Sequence, residues 1–257
     1  MTQPARDDRV LVAPRYLAGG GLSRLAWALH PLLHDFGWSV KRVHSAGRIT
    51  LYSPHRALTV TFDPTQDEDR WWTIAHRSTD EEADSWEAVF GQHTPIEAVA
   101  ATLQLLPLLT GDARHLERLG LLHEDSPGQL AAARGWTASA SAKGERFTSP
   151  GLRCTLLYAR GERDGCWFVE TSAPKEAAAA WRAAFDAAVP EGLVRRFFAN
   201  ISGPMPAERL ATEIPPALAD MPGTRMLPSL PPRAAPLRTS PPTTSARPRA
   251  PSVRRLR

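Results

Sequence analysis

His30 and His34 stand four residues apart, the spacing that on an unbroken helix puts two imidazoles on one face as a metal pair. Pro31 lies between them and no third ligand of matching spacing follows, so no metal site is expected. The runs Asp67-Glu68-Asp69 and Asp80-Glu81-Glu82 with Asp84 offer carboxylates to a hard cation, but they lack EF-hand spacing and read as solvated acidic loops. Gly19-Gly20-Gly21 ahead of a helix could turn backbone amides toward an anion, yet the Lys-Ser/Thr pair of a phosphate loop is missing. No Gly-x-Ser-x-Gly elbow, zinc-protease motif or kinase set is present. The reading therefore leans away from an enzyme, with no catalytic residue and no cofactor expected. The rival is an enzyme of undetected type in the first half of the chain, whose site would be a pocket lined by His44, His55 or His76 with acidic residues.

Two other groups of residues could make contacts. Trp71 sits beside Trp72, and in a strand adjacent residues face opposite ways, so one of the two must leave the core. Trp71, whose counterpart later in the chain is Cys166, is the candidate, together with the turn Ser53-Pro54-His55-Arg56. Tail residues Arg247, Arg249, Arg254, Arg255 and Arg257 are candidate anion contacts. Residues 221–257 hold eight Arg and no acid, so of the formal charge of +4 the tail carries +8 and residues 1–220 carry 4 − 8 = −4. Weak, sequence-independent nucleic-acid binding would then belong to the tail. That tail also holds nine of the 24 prolines, a composition that cannot offset its ordering entropy by burial.

The chain repeats itself. Trp38 matches Trp136, Ser53-Pro54 matches Ser149-Pro150, Trp72 matches Trp167, Trp86 matches Trp181, Phe90 matches Phe185 and Pro95 matches Pro190, at offsets drifting only from 98 to 95. A chain of 257 residues has room for two modest units. Before the first, Val10–Leu17 reads as a strand, and Leu22, Leu25, Ala26, Leu29, Leu32 and Leu33 follow helical spacing with Ser23 near the start as cap. Each unit then reads as a strand meander closed by a helix. In the first, Thr94 caps a helix with Pro95 at its first position, running through Leu106. In the second, Ser126-Pro127 opens a short helix to Ala133. Ala-rich Lys175–Ala188 favours helix by propensity, but the repeat places Trp181–Phe185 on a strand, and tertiary context is expected to win. If Cys154 and Cys166 flank a hairpin, Cys154 faces Thr171 and Cys166 faces Ala159, too far apart for a disulfide. Reduced thiols suit the cytoplasm. No run of 18 apolar residues exists, so neither a signal peptide nor a membrane span is expected.

VLVAPRYLAGGG at the start, the Gly-Trp opening of each unit, the Ser-Pro turns, the WWTI strand and the T-P-I-E helix start together resemble the SPDY-motif domains of unknown function, which occur as tandem copies in GC-rich bacteria. The resemblance spans residues 10–202 and implies a cytoplasmic tandem-domain protein without established activity or cofactor. His55 and Gly151 replace the Asp of the family signature, which favours a structural role for the turns. The expected fold is α+β: two pseudo-equivalent units, each an antiparallel sheet of four or five strands with flanking helices. Residues 1–110 form the first unit, 111–125 a linker helix, 126–203 the second unit and 204–257 a disordered Pro/Arg-rich tail. The expected role is a non-catalytic module whose partner is another protein, with nucleic acid through the tail as the alternative.

Overall fold

The computed structural model of the chain describes residues 8–43, 47–78, 85–111, 126–161, 165–172, 179–215, 218 and 225–228. Strand β1 (Arg9–Ala13) leads through a cis Ala13–Pro14 bond into a 3₁₀ turn, Arg15–Leu17. The expected strand to Leu17 thus stops at Pro14, which has no N–H for a ladder. A second 3₁₀ turn, Leu22–Arg24, precedes α1 (Leu25–His34). Ser23 makes no side-chain cap; its backbone N–H donates to Glu213 Oε1 at 2.8 Å.

The first meander is β2 (Ser39–Val43), β3 (Arg48–Tyr52), β4 (Leu58–Phe62), β5 (Trp72–His76) and β6 (Trp86–Phe90), followed by α2 (Ile96–Leu103) and α3 (Leu106–Leu109). Thr94 does not cap α2. The cap position is Pro95, and the Thr94 hydroxyl instead reaches Arg182 O at 3.4 Å, a tie to the other unit. The single helix expected through Leu106 breaks after Leu103, just ahead of Pro107, and restarts. In the second unit α4 (Pro127–Ala133) opens with a full capping box from Ser126 and Gln129. There follow β7 (Thr137–Ser141), β8 (Gly144–Thr148), β9 (Cys154–Arg160), β10 (Gly165–Ser172), β11 (Ala179–Phe185) and α5 (Glu191–Ile201). The linker helix expected at 111–125 falls, after Gly111, outside the described residues.

The two units do not merely touch; they share one sheet. Ten antiparallel strands run in the order β2-β3-β4-β5-β6-β11-β10-β9-β8-β7. At the seam Val89 stands opposite Ala184, Ala88 opposite Phe185 and Phe90 opposite Ala183. Val89 and Ala184 are repeat equivalents, as are Ala88 and Ala183, so a pseudo-twofold axis passes between Val89 and Ala184, normal to the sheet. α2 and α5 pack against each other over the same face. Phe197 of α5 closes the centre, 5.2 Å from the Phe90 ring and 5.5 Å from that of Phe185. Trp72 faces Phe62 and Phe90 in register, and Trp167 faces Tyr158 and Phe185, which gives the matched tryptophans equivalent places.

Within the Ala-rich segment Ala179–Phe185 is a strand, as the repeat requires. Trp181, Ala183 and Phe185 alternate inward with Arg182 and Ala184 outward. A helix would spread three residues spaced by two over about 200° and bury only part of them. Helix propensity is at most a few tenths of a kcal/mol per residue, whereas burying a Trp or Phe contributes about 1.5–3 kcal/mol, so packing decides.

The boundary expected at residue 204 is corrected by the fold. β12 (Ala207–Leu210) pairs with β1 from Arg9↔Leu210 to Val12↔Ala207, and β13 (Arg225–Pro228) pairs with the other edge of β1, making a three-stranded sheet β12-β1-β13. Within the expected tail, the described residues are 204–215, 218 and 225–228. No helix among the described residues is long and apolar enough to cross a membrane.

Candidate functional site

The Ser-Pro turns share one clamp in both units. Ser53 Oγ accepts from Leu58 N at 3.1 Å while Ser53 N donates to Leu58 O at 3.0 Å. Ser149 Oγ accepts from Cys154 N at 3.0 Å while Ser149 N donates to Cys154 O at 2.9 Å. Both serines are buried, and each turn needs a non-glycine residue in the left-handed region, Arg56 at φ 57° and Leu152 at φ 56°. The hydroxyl therefore acts as an internal clamp, while Pro54, His55 and Arg56 are exposed, with the Arg56 guanidinium 6.0 Å from the Tyr52 ring centre.

The structure does not bring Trp71 to this turn. Trp72 pairs with Phe62 and Ser53 bonds Leu58, so Trp71 and the turn lie at opposite ends of β4, about 13–16 Å apart along a five-residue strand. Trp71 is half-buried, edge-on to Phe62 at 6.0 Å. Of the two neighbouring tryptophans, Trp72 is the one fully in the core. The tryptophan that stands in solvent is Trp27, 51% exposed on α1, and sequence reading passed over it. The signal was its place one turn from His30 and two from His34, off the leucine stripe that the helix buries.

His30 and His34 are both exposed, and their rings stack at 4.0 Å with planes 25° apart. Pro31 does not split α1: Asp35 N still donates to Pro31 O at 2.9 Å. His76 lies against Trp86, ring centres 5.6 Å apart, with Nδ1 buried and without a partner, while His55 is out on the turn. His44 lies outside the described residues, as do Asp80, Glu81, Glu82, Asp84 and the tail residues Arg247, Arg249, Arg254, Arg255 and Arg257. Among the described residues no group of three His, Cys, Asp or Glu could hold a metal ion. Asp67-Glu68-Asp69 is more than a solvated loop. Glu68 O accepts from Gln92 N at 2.6 Å, and Asp69 lies 3.7 Å from Arg182, which itself bonds Glu170 at 2.8 Å, so the β4–β5 connection is tied across the seam.

The glycine run packs rather than recruits an anion. Gly19 O accepts from Arg209 Nη2 at 3.1 Å and Gly20 O from Ile96 N at 2.9 Å. A Cβ on Gly20 would come 2.6 Å from Gln92 O, and one on Gly21 would come 2.7 Å from Arg209 Cζ. Arg209 of β12 is fully buried and grips Glu97 of α2 through two 2.6 Å bonds. Burial pushes the Glu97 carboxyl up, but the Arg209 guanidinium, helped by a backbone N–H and Arg15, outweighs it and holds the group below the usual carboxylate range. Beside them a cleft of about 250 Å³ is lined by Gly20, Gly21, Leu22, Gln92, His93, Thr212 and Glu213. Burial lowers the His93 pKa, and both Glu213 oxygens are engaged, by Ser23 N and Leu210 N.

Arg15 and Arg134 cap the carboxyl end of α5. Arg15 Nη1 reaches Asn200 O at 3.1 Å, and Arg134 Nη1 reaches Ala199 O at 2.7 Å. The cysteines pair in register as expected, Cys154 with Thr171 and Cys166 with Ala159, and both are free. Burial pushes the Cys154 thiol up to about 12.

Fold and turns define a tandem α+β repeat protein, two strand meanders with closing helices fused through a pseudo-twofold seam. Residues 52–107 and 148–207 each match the family model of SPDY: Domain of unknown function (DUF317), so the chain carries two tandem regions similar to the SPDY domain. The two matched spans are the halves related by the seam, β4–β6 with α2 and β9–β11 with α5. No match to the chain was found among curated proteins or solved structures.

Proposed function

We propose that this protein is a non-catalytic interaction module of the cytoplasm whose partner is another protein, engaged through the outward face of α1. The observation that carries the reading is Trp27. It is the one tryptophan among the described residues that is more than half exposed, on a helix whose other face is sealed in the core. Tryptophan is the side chain most enriched among residues that dominate binding energy, because a rigid indole fills a pocket at little entropic cost. The partner surface that fits is an apolar pocket for the indole. The strand geometry that keeps Cys154 and Cys166 on opposite faces supports the cytoplasmic setting.

The test compares the full chain with Trp27→Ala and Trp71→Ala as baits in host lysate, with crosslinking and in the presence of a chelator. A partner retained by wild type and Trp71→Ala but lost with Trp27→Ala supports the reading. Equal capture by all three, or loss only with Trp71→Ala, refutes it.

A second reading concerns the tail, supported by the separation of +8 after residue 220 from −4 before it. Because β13 pairs with β1, a cut at Asp220 would remove part of the fold, so the informative truncation follows Pro228 and removes seven of the eight tail arginines, all but Arg225. If nucleic acid binds there, duplex DNA affinity should be sequence-indifferent, fall steeply with salt and vanish on truncation. Equal binding by the truncated chain refutes the assignment.

A further inference from the structure

Pro31 argues against a metal pair only if it breaks the helix, and it does not. α1 is continuous over Leu25–His34, so His30 and His34 share one face a turn apart. Both side chains are in solvent, and their rings lie nearly parallel at 4.0 Å. Chelation at metal–nitrogen bonds of about 2.0–2.1 Å requires the two donor nitrogens to approach to about 3 Å. Rings already side by side at 4.0 Å reach that by small side-chain rotations, without moving the backbone.

We infer that His30 and His34 form a two-imidazole chelate for a divalent transition cation of the Cu(II), Ni(II) or Zn(II) class on the outer face of α1. Imidazole is the donor these ions share, whereas Mg²⁺ and Ca²⁺ prefer oxygen and are not taken. No third His, Cys, Asp or Glu completes a cluster among the described residues, so the remaining coordination positions face solvent and stay open to water or to a donor from another molecule. Trp27 lies one turn before His30 on the same face, which puts an exposed indole beside the ion. The site is distinct from the proposed partner contact in its requirements: it needs the two imidazoles and no second protein.

The experiment titrates the full chain with Cu(II), Ni(II) and Zn(II) by calorimetry, following tryptophan fluorescence in parallel. Wild type is compared with His30→Ala, His34→Ala and, as control, His55→Ala. Expected is one ion per chain with a dissociation constant in the micromolar range, partial quenching of fluorescence by Cu(II) that is reduced in Trp27→Phe, and at least tenfold weaker binding in either α1 variant but not in His55→Ala. Because the ion clamps one helical turn of the folded state only, saturating Zn(II) should also raise the melting temperature of wild type and leave His34→Ala unchanged. Absence of binding below about 1 mM, or binding indifferent to both α1 variants, overturns the assignment. Metal binding by the isolated chain and partner capture in chelator are separate readouts, so either can fail alone.

Discussion

Replacing Arg209 with Met is the sharpest test of how the chain's end is held. The Arg209 side chain is fully buried and makes two 2.6 Å bonds to Glu97, whose own side chain is 10% exposed, and it also donates to Gly19 O and Glu208 O. Methionine fills much of the volume but leaves Glu97 with Arg24, 3.6 Å away, and the weaker field of Arg15 as its cationic neighbours. Removing one member of a buried pair costs about 3–5 kcal/mol, and the residual Arg24 places the expectation at the lower end. For a chain of this size about 3 kcal/mol corresponds to a fall in melting temperature of roughly 6–12 °C. Urea and thermal denaturation followed by circular dichroism at pH 7 measure it. The pH dependence gives a second constraint. In wild type the folded Glu97 carboxyl is depressed, so its contribution is present at neutral pH and is lost as pH falls through that depressed value, below the ordinary glutamate value of about 4.3. Without Arg209, burial dominates and raises Glu97, so the variant gains stability as pH falls and the gap to wild type narrows. Adding Glu97→Leu should restore most of the loss, because an apolar pair can replace a buried ionic one. A loss under about 1 kcal/mol at pH 7, a gap that ignores pH, or a double variant no better than the single one would refute the reasoning.

Ser53→Ala and Ser149→Ala should each destabilise by about 1–3 kcal/mol in urea titrations, since each leaves a buried backbone N–H without its acceptor; a near-zero effect in either would show that the turn is not clamped by the hydroxyl. At pH 8 a thiol reagent should modify one cysteine of the folded chain, Cys166, and reach Cys154 only on unfolding, because Cys154 is fully buried with its thiol pushed up to about 12. Equal rates at both positions, measured by mass spectrometry, would contradict the packing of β9.

The repeat was legible because core positions in a small sheet need large side chains of fixed shape, and Trp72/Trp167 and Trp86/Trp181 keep that requirement visible through divergence. The strand at Ala179–Phe185 was legible for the same reason, once the repeat overruled alanine's preference. Period-two alternation also placed the Cys154 and Cys166 partners correctly, because hairpin register is local geometry. The seam was not legible. Val89 and Ala184 carry no mark that they meet, since edge pairing is made by backbone groups every residue possesses. Arg209 lay in a stretch whose composition suggested tail, and only the return of β12 onto β1 turned it into a buried ion-pair partner for a residue 112 positions away. Trp27, His30 and His34 were visible as letters. Whether they faced water together depended on α1 continuing through Pro31 and on which of its faces the core and α2 left uncovered, and tertiary packing alone settles that.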